Sequence, residues 1–404
     1  MKIIDMKARE ILDSRGFPTI ETDVILENGV LGRASIPSGA STGSNEALEL
    51  RDNDNRYLGK GVQTAINNVL NVIKPVLENI DFSSQEELDK FLIELDGTEN
   101  KSRLGANAIL SISLAFLKAC AQSENKELYE FVGHDYTIPN CMFNILNGGM
   151  HADNNIDFQE FMIMPNRKSI KEQLQVASEV FHNLKKILKE NVYITSVGDE
   201  GGFAPNLKNN EEALDMICLA IQKAGYKLKD DVNICLDVAA SSFYNDEEQV
   251  YSIDNKKHTR DELIDLYKAI IEKYPIISIE DPLVESDFEG FKLLTKQVNI
   301  QIVGDDLFVT NPKLLEKGIE MGSANAILLK ANQIGTITEM FKTIELAKQN
   351  NYKTIISHRS GETEDTFIAD LAVGLNLQQL KTGSVSRGER ICKYNRLIRI
   401  EEEI

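Results

Sequence analysis

Six short apolar runs in the second half of the chain each end on a residue able to bind a cation, a proton or an anion. Asn-Ile-Cys-Leu is followed by Asp237, Ile-Ile-Ser-Ile by Glu280, Ile-Gln-Ile-Val-Gly by Asp305 and Ala-Ile-Leu-Leu by Lys330. Thr-Ile-Ile-Ser runs into His358-Arg359-Ser360, and the last run ends at Lys381. Three carboxylates with no cysteine or histidine among them suit a hard cation that takes oxygen ligands, Mg²⁺ before Zn²⁺. Lys330, one strand beyond them, is a candidate base, because nearby cations and a bound metal lower a lysine's pKa. Arg359 offers a planar fork for phosphate or carboxylate, and Ser360 a further donor. The set suits enolisation of a carboxylate that stands next to a phosphate. A lone acid after a strand is ordinarily a loop residue or a helix cap; six successive strand ends of this kind are not explained that way.

These residues must be delivered to one place. Asp305 follows Glu280 by the same interval at which Lys330 follows Asp305. That interval fits one strand, one helix and two loops, the unit of a parallel barrel whose C-terminal strand ends ring a single mouth. The strand candidates are 233–236, 276–279, 300–303, 326–329, 354–356 and 375–380. The intervening helices have readable starts: Thr259 with Glu262 and Thr336 with Glu339 fit capping boxes, and Asn311-Pro312 supplies a cap and a proline at the first helical position. Two earlier segments belong with the site. One is Val197-Gly-Asp-Glu200-Gly-Gly, an acid in a glycine-rich bend after the apolar 192–197; the other is His151-Ala-Asp-Asn-Asn followed by Gln159-Glu160-Phe161. Neither a GxGxxG nor a GxxxxGK[ST] pattern is present, which argues against a nucleotide site.

The first third has a different texture. Residues 19–26 alternate as a strand, and 30–36 can pair with them across the Asn28-Gly29 turn. Seven small or turn-forming residues, 37–43, read as a surface loop, and helical periodicity follows over 62–77, 85–95 and 107–122. The expected organisation is α/β: a small N-terminal α+β domain over 1–133, then a barrel over 134–404, divided at the turn-rich Gly133-His134-Asp135-Tyr136.

A chain of 404 residues, 42% of them apolar, can bury a sizeable core. Its net charge of −19 argues against nucleic acid or an acidic membrane as the main partner, while local cations can still receive an anionic substrate. Cys120, Cys141, Cys218, Cys235 and Cys392 form no CxxC pair and read as reduced core residues. Arg9, Glu10 and Asp13 interrupt the start, so no signal peptide is expected, nor any membrane span. The expectation is a cytoplasmic protein. His134, His182 and His258 carry no assignment and read as surface or satisfied core residues.

Across nearly the whole chain these motifs resemble the enolase family. The matching segments are DSRGFPT at 13–19, PSGASTG at 37–43, HADNN at 151–155, QEFM at 159–162 and VGDEGG at 197–202. SIEDP at 278–282, VGDDLFVTNP at 303–312 and LLKANQIGT at 328–336 follow, then SHRSGETEDTFIADLAVG at 357–374 and LKTGSVSRGER at 380–390. The resemblance implies a small α+β domain before a TIM-like eightfold barrel of the enolase type, which departs from the usual βα order at its start. It implies reversible dehydration of 2-phospho-D-glycerate to phosphoenolpyruvate, a step of glycolysis and gluconeogenesis, with two Mg²⁺ per site, one conformational and one catalytic.

By the same resemblance, Asp237, Glu280 and Asp305 would hold the conformational Mg²⁺, and Ser41, on a closing lid, would help complete the catalytic one. Lys330 would take the proton from carbon 2. Glu200, assisted by Glu160, would protonate the departing 3-hydroxyl. Arg359 and Ser360 would bind the phosphate with His358 beside them, Lys381 the carboxylate region, and His151 would join on lid closure. A homo-oligomer, dimer or octamer, is implied, and a cell-surface or secreted fraction is known in the family. The chain departs from the family pattern at Ser242, where many members carry Glu, and in a short C-terminus ending at Ile404; neither touches the expected catalytic set. Two rival readings stand beside this one. A related barrel dehydratase or racemase acting on a sugar acid would share the metal acids but usually not HRSGETED or the PSGASTG loop. An idle scaffold or surface-binding protein on the same fold would be expected to have lost a site residue, and none is lost.

Overall fold

The alternation near the N-terminus folds into an antiparallel sheet of β1 (Ile3–Leu12), β2 (Pro18–Leu26) and β3 (Leu31–Ser35), in the order β1-β2-β3. The computed structural model describes residues 1–40 and 43–404. The Asn28-Gly29 turn joins β2 to β3 as expected, with Gly29 donating to the Leu26 carbonyl. Edge strand β1 carries charge among its apolar residues, which hid it from the alternation rule. Cross-strand pairing explains the charge: Arg9 lies opposite Glu21 and bonds it at 2.5 Å, and Arg33 lies opposite Asp23 at 2.6 Å. Between them the two guanidinium groups overcome burial and hold the Asp23 carboxyl down at about 2. The helix Ala106–Ser123 covers this sheet and is buried nearly all round. It approaches so closely that a Cβ on Gly32 would meet the Ala115 carbonyl oxygen at 2.0 Å.

The helical stretch expected over 62–77 is continuous but not uniform. It runs as α-helix over Gln63–Asn67, winds as a π-helix over Asn68–Ile73, and returns to α-helix over Lys74–Leu77. Pro75 is the physical reason. It has no N–H to give and its ring crowds the carbonyl one turn back, so the preceding turn widens. The two later helices form as expected, at Gln85–Asp96 and Ala106–Ser123.

The remaining strands close into an eight-stranded barrel. They are β4 (Asn140–Asn147), β5 (Glu160–Pro165) and β6 (Val232–Asp237), then, beyond a small outer sheet of β7 (Tyr244–Asn245), β8 (Val250–Ile253) and β9 (Lys256–His258), β10 (Ile276–Glu280), β11 (Gln301–Gly304), β12 (Ala326–Leu329), β13 (Lys353–Ser357) and β14 (Gln379–Lys381). The order around the barrel is β10-β11-β12-β13-β14-β4-β5-β6. β5 is antiparallel to both β4 and β6, and every other neighbouring pair is parallel. The last strand is shorter than expected, because Leu375 caps the helix Phe367–Gly374. Residues 192–197 form no strand; Val192 and Ile194 are exposed.

Three helix starts test the capping signals. Thr259 and Glu262 make the full box, and Asn311 caps a helix whose first residue is Pro312. Thr336 accepts the Glu339 amide, but the Glu339 carboxylate bonds the Thr336 hydroxyl and Lys101 instead of closing the box.

The barrel lumen is plugged by a separate small cluster that includes Met142, Met162, Cys235, Val303, Leu328 and Ile355. Strand side chains alternate between lumen and outer face with a period of two. Asn144, Glu160, Asp237, Asp305 and Lys330 each stand two positions from a plug residue, so the same strands that fill the lumen aim these groups into its mouth.

Candidate active site

One narrow cavity at the mouth is lined by His151, Gln159, Glu160, Glu200, Asp237, Lys330, Ser357, His358, Arg359, Ser360 and Lys381. Glu280 and Asp305 join it through their lysine partners, described below. Glu160 opens β5 rather than ending it. Because β5 is reversed, its first residue lies at the mouth, directly opposite both Asn147 and Asp237. Glu200 arrives from a loop between the helices Ile170–Glu190 and Asn210–Lys223, tied to β4 by bridges through Phe203. The expected lid serine, Ser41, lies outside the described residues. A larger cavity of about 620 Å³ sits beside Ser38, Gly39 and Gly43; the ionisable groups converge in the narrow one, which is where the chemistry belongs.

Lys330 follows β12 and is mostly buried, with its Nζ 2.5 Å from Asp305 Oδ2. Burial alone would strip its proton, and Arg359 and Lys381 push the same way, but Asp305 outweighs them and holds the pKa above the ordinary lysine value. Facing Asp305 directly, with no cation between them, Lys330 holds its proton; the lowered lysine was expected beside a bound metal. Asp305 is held below the usual carboxylate range against its own burial, chiefly by Lys330. Its other oxygen accepts from Gln333 Nε2 at 2.8 Å. Asp281 braces this turn by accepting the backbone amides of Asp305 at 2.9 Å and Asp306 at 2.8 Å.

Four strands away around the ring stand two carboxylates, Glu160 and Glu200, with no lysine of their own. Asn144 Nδ2 donates to Glu160 Oε2 and Glu200 Oε2, both at 3.0 Å. Two buried carboxylates this close cannot both ionise cheaply. Burial, and then the charge of Glu200, push Glu160 well above its ordinary value. Glu200 is also pushed up by burial, but His151 and His358 more than reverse this and hold it well below. His151 Nδ1 lies 3.4 Å from Glu200 and 3.6 Å from Glu160, and His358 Nε2 lies 3.3 Å from Glu200. Burial keeps both imidazoles below their ordinary value, His358 at about 4. Of the two acids, Glu160 is the one that holds a proton more readily.

Lys381 stands between Asp237 (2.9 Å), Glu280 (2.9 Å) and Glu160 (3.1 Å), and these acids hold its proton tightly against burial. Five carboxylates therefore face two lysines at the mouth, while Arg359 is neutralised by Glu46, which grips its fork at 2.9 and 3.1 Å. A site so negative cannot receive an anion unless further positive charge enters. Glu280, pushed well above its ordinary value by burial and then by Asp237, records the same deficit. The donors are all oxygen, so a hard divalent cation fits Asp237, Glu280 and Asp305. Among the described residues the tightest acid groupings are Asp281 with Asp305 and Asp306, and His151 with Glu160 and Glu200. Asp237, Glu280 and Asp305 do not form such a grouping: Lys381 bridges the first two, and Lys330 pairs with the third. Ser360 Oγ accepts from the Ala40 amide at 2.7 Å, joining the strand-end loop to the 37–43 segment.

Sequence reasoning missed Arg390. This fully buried residue of the helix Gly388–Glu401 reaches His358 and three backbone carbonyls. Its position inside SRGER was the only signal, and nothing in that segment's pattern separates it from a solvent-facing arginine.

A barrel whose reversed second strand delivers an acid to a mouth of strand-end carboxylates and lysines defines a lyase-type barrel enzyme with a small-molecule substrate. The family model for the enolase N-terminal domain matches residues 3–132, and that for the enolase C-terminal TIM barrel domain matches residues 135–404. The chain belongs to the enolase family, and membership implies a divalent metal. Among the described residues no helix is long and apolar enough to cross a membrane.

Proposed function

We propose that the protein dehydrates 2-phospho-D-glycerate reversibly to phosphoenolpyruvate, as a step of glycolysis and gluconeogenesis. The observation that carries the reading is the opposition, across one cavity, of a buried lysine and a proton-bearing carboxyl pair. The reaction removes a proton from carbon 2 and a hydroxide from carbon 3, so it needs a base and an acid on different faces of the substrate. Lys330 is the base and takes the carbon 2 proton. The Glu160–Glu200 pair returns a proton to the 3-hydroxyl, which leaves as water. Arg359 and Ser360 orient the phosphate, for which Glu46 now holds the place in the guanidinium fork. Lys381 balances the substrate carboxylate, and His151 closes the acid wall.

Asp237, Glu280 and Asp305 would hold one Mg²⁺ and Ser41 would help to hold a second; bound there, the ions would offset the second negative charge that develops on the substrate carboxylate. With a cation held at Asp305, that carboxylate would give less of its charge to Lys330, and the lysine would release its proton more readily. The same reading makes the protein a cytoplasmic homo-oligomer, dimer or octamer, with a surface or secreted fraction open to it, and divides the chain at Gly133. Ultraviolet detection of phosphoenolpyruvate formed from 2-phosphoglycerate, with and without Mg²⁺, is the test. Absence of Mg²⁺-dependent product would overturn the reading, and turnover of a sugar acid instead would move it to a related dehydratase.

A further inference from the structure

The guanidinium of Arg390 takes no part in the chemistry above, yet it is fully buried beside it and makes several hydrogen bonds there. Nη1 donates to His358 Nδ1 and to the Arg359 carbonyl, both at 2.6 Å. Nη2 donates to the Ser360 carbonyl at 2.6 Å and the Asp199 carbonyl at 3.1 Å, with Ser14 Oγ at 3.4 Å. Each carbonyl so held belongs to, or adjoins, a residue of the proposed site.

Arginine has only donors and does not lose its proton in proteins. An N–H placed 2.6 Å from His358 Nδ1 therefore requires that nitrogen to be the lone-pair nitrogen. A neutral imidazole then carries its hydrogen on Nε2, the atom that lies 3.3 Å from Glu200 Oε2. A second proton on Nδ1 would set two N–H groups against each other. The charged groups acting on the ring, Glu200 and Glu362 from one side and Arg390 from the other, leave burial dominant and the ring neutral.

We propose that Arg390 is a positioning residue that fixes His358 as the Nε2–H tautomer. In this role it aims one neutral donor at Glu200 and pins the Asp199, Arg359 and Ser360 backbone in register with it. The kinetic consequence rests on the dehydration reading; the tautomer does not.

Histidine-selective ¹⁵N labelling of the full chain gives five imidazoles, and loss of a signal in His358→Gln assigns the one at issue. The expected spectrum shows His358 as Nε2–H, unchanged from about pH 5 to about pH 8. An Nδ1–H tautomer, or titration within that window, overturns the proposal. In Arg390→Met the preference is expected to vanish and kcat for 2-phosphoglycerate to fall about 10- to 100-fold. Arg390→Lys, a donor-only cation, is expected to keep Nε2–H and recover part of the rate. In the His358→Gln background Arg390→Met should cost much less, because both changes remove one unit; an equal cost in both backgrounds means that Arg390 acts elsewhere, and the proposal falls. If Arg390→Met does not fold, the wild-type spectrum and Arg390→Lys still decide. A fixed tautomer in a wild type without turnover supports this inference and sinks the dehydration reading; turnover with a mixed tautomer does the reverse.

Discussion

The two walls of the barrel mouth hold buried protons by opposite means. On the β12 wall, Lys330 keeps its proton because one carboxylate, Asp305, faces it at 2.5 Å. On the β5 wall, Glu160 keeps its proton because another carboxylate, Glu200, crowds it within a site that burial has dried. The first device is undone by giving Asp305 a stronger partner, such as a divalent cation. The second rests on repulsion internal to the pair, which a cation held at Asp305 does not remove. An enzyme that must release a base and retain an acid at one pH can do so with this asymmetry.

The largest expected effects come from removing one wall at a time. Lys330→Ala should abolish exchange of the carbon 2 proton with solvent deuterium and lower turnover by as much as ~10⁴-fold. Glu200→Gln should spare that exchange while blocking dehydration, a loss of about 10²- to 10⁴-fold. Exchange retained in the first variant removes Lys330 from the base role. Exchange lost in both means that the walls do not act separately.

How far these walls could be read from the chain follows from strand direction. On parallel strands the mouth residue comes last, so Asp237, Glu280, Asp305, Lys330 and Lys381 announce themselves after apolar runs, and the barrel with them. β5 runs backwards, so Glu160 comes first in its strand and escapes that rule. Glu200 sits between helices and was found by motif alone. Arg390 lies on a helix whose buried face is a matter of tertiary packing. The state of Lys330 is not legible in spacing, because its pKa depends on whether Asp305 faces it or a metal. The β1 edge strand and the π-turn before Pro75 were missed for local reasons, charge pairing in one and a missing donor in the other.

Metal removal sharpens the comparison next. Chelation should stop turnover, and Mg²⁺ at about 100 times its Kd should stabilise the protein by about 2.7 kcal/mol, read as a shift in denaturant midpoint. Asp305→Asn should blunt that shift and Glu200→Gln should not. An equal loss in the two variants would place the ion on the wrong wall.

The acid wall has a pH signature of its own. Glu160 folds with its pKa above the unfolded value near 4.5, so the folded state binds more protons than the unfolded one above that pH. Its stabilising effect is complete at lower pH and is lost as pH rises toward the folded value. Metal-free protein should therefore lose stability as pH rises above about 5, and Glu160→Gln should flatten part of that slope. Glu280 moves in the same direction, so some slope should remain. A metal-free protein equally stable at both pH values contradicts the shared proton.

The smallest effects should come from one support behind each wall. Asn144 donates to both acids at 3.0 Å and carries no charge itself. Asn144→Leu removes both donors, so the two carboxylates lose the bond that aligns them. Asp281 does the converse for the other wall, accepting two backbone amides that set the Asp305 turn. In Asp281→Asn one of those amides would face an NH₂ group, and the turn must shift. Each change should cost roughly tenfold, about 1.4 kcal/mol, but on different readouts: dehydration with exchange intact for Asn144→Leu, exchange and Mg²⁺ affinity for Asp281→Asn. Because neither residue touches substrate, a clean sorting of the two variants by wall tests the asymmetry itself, and losses of both kinds in both variants would show one coupled network in its place.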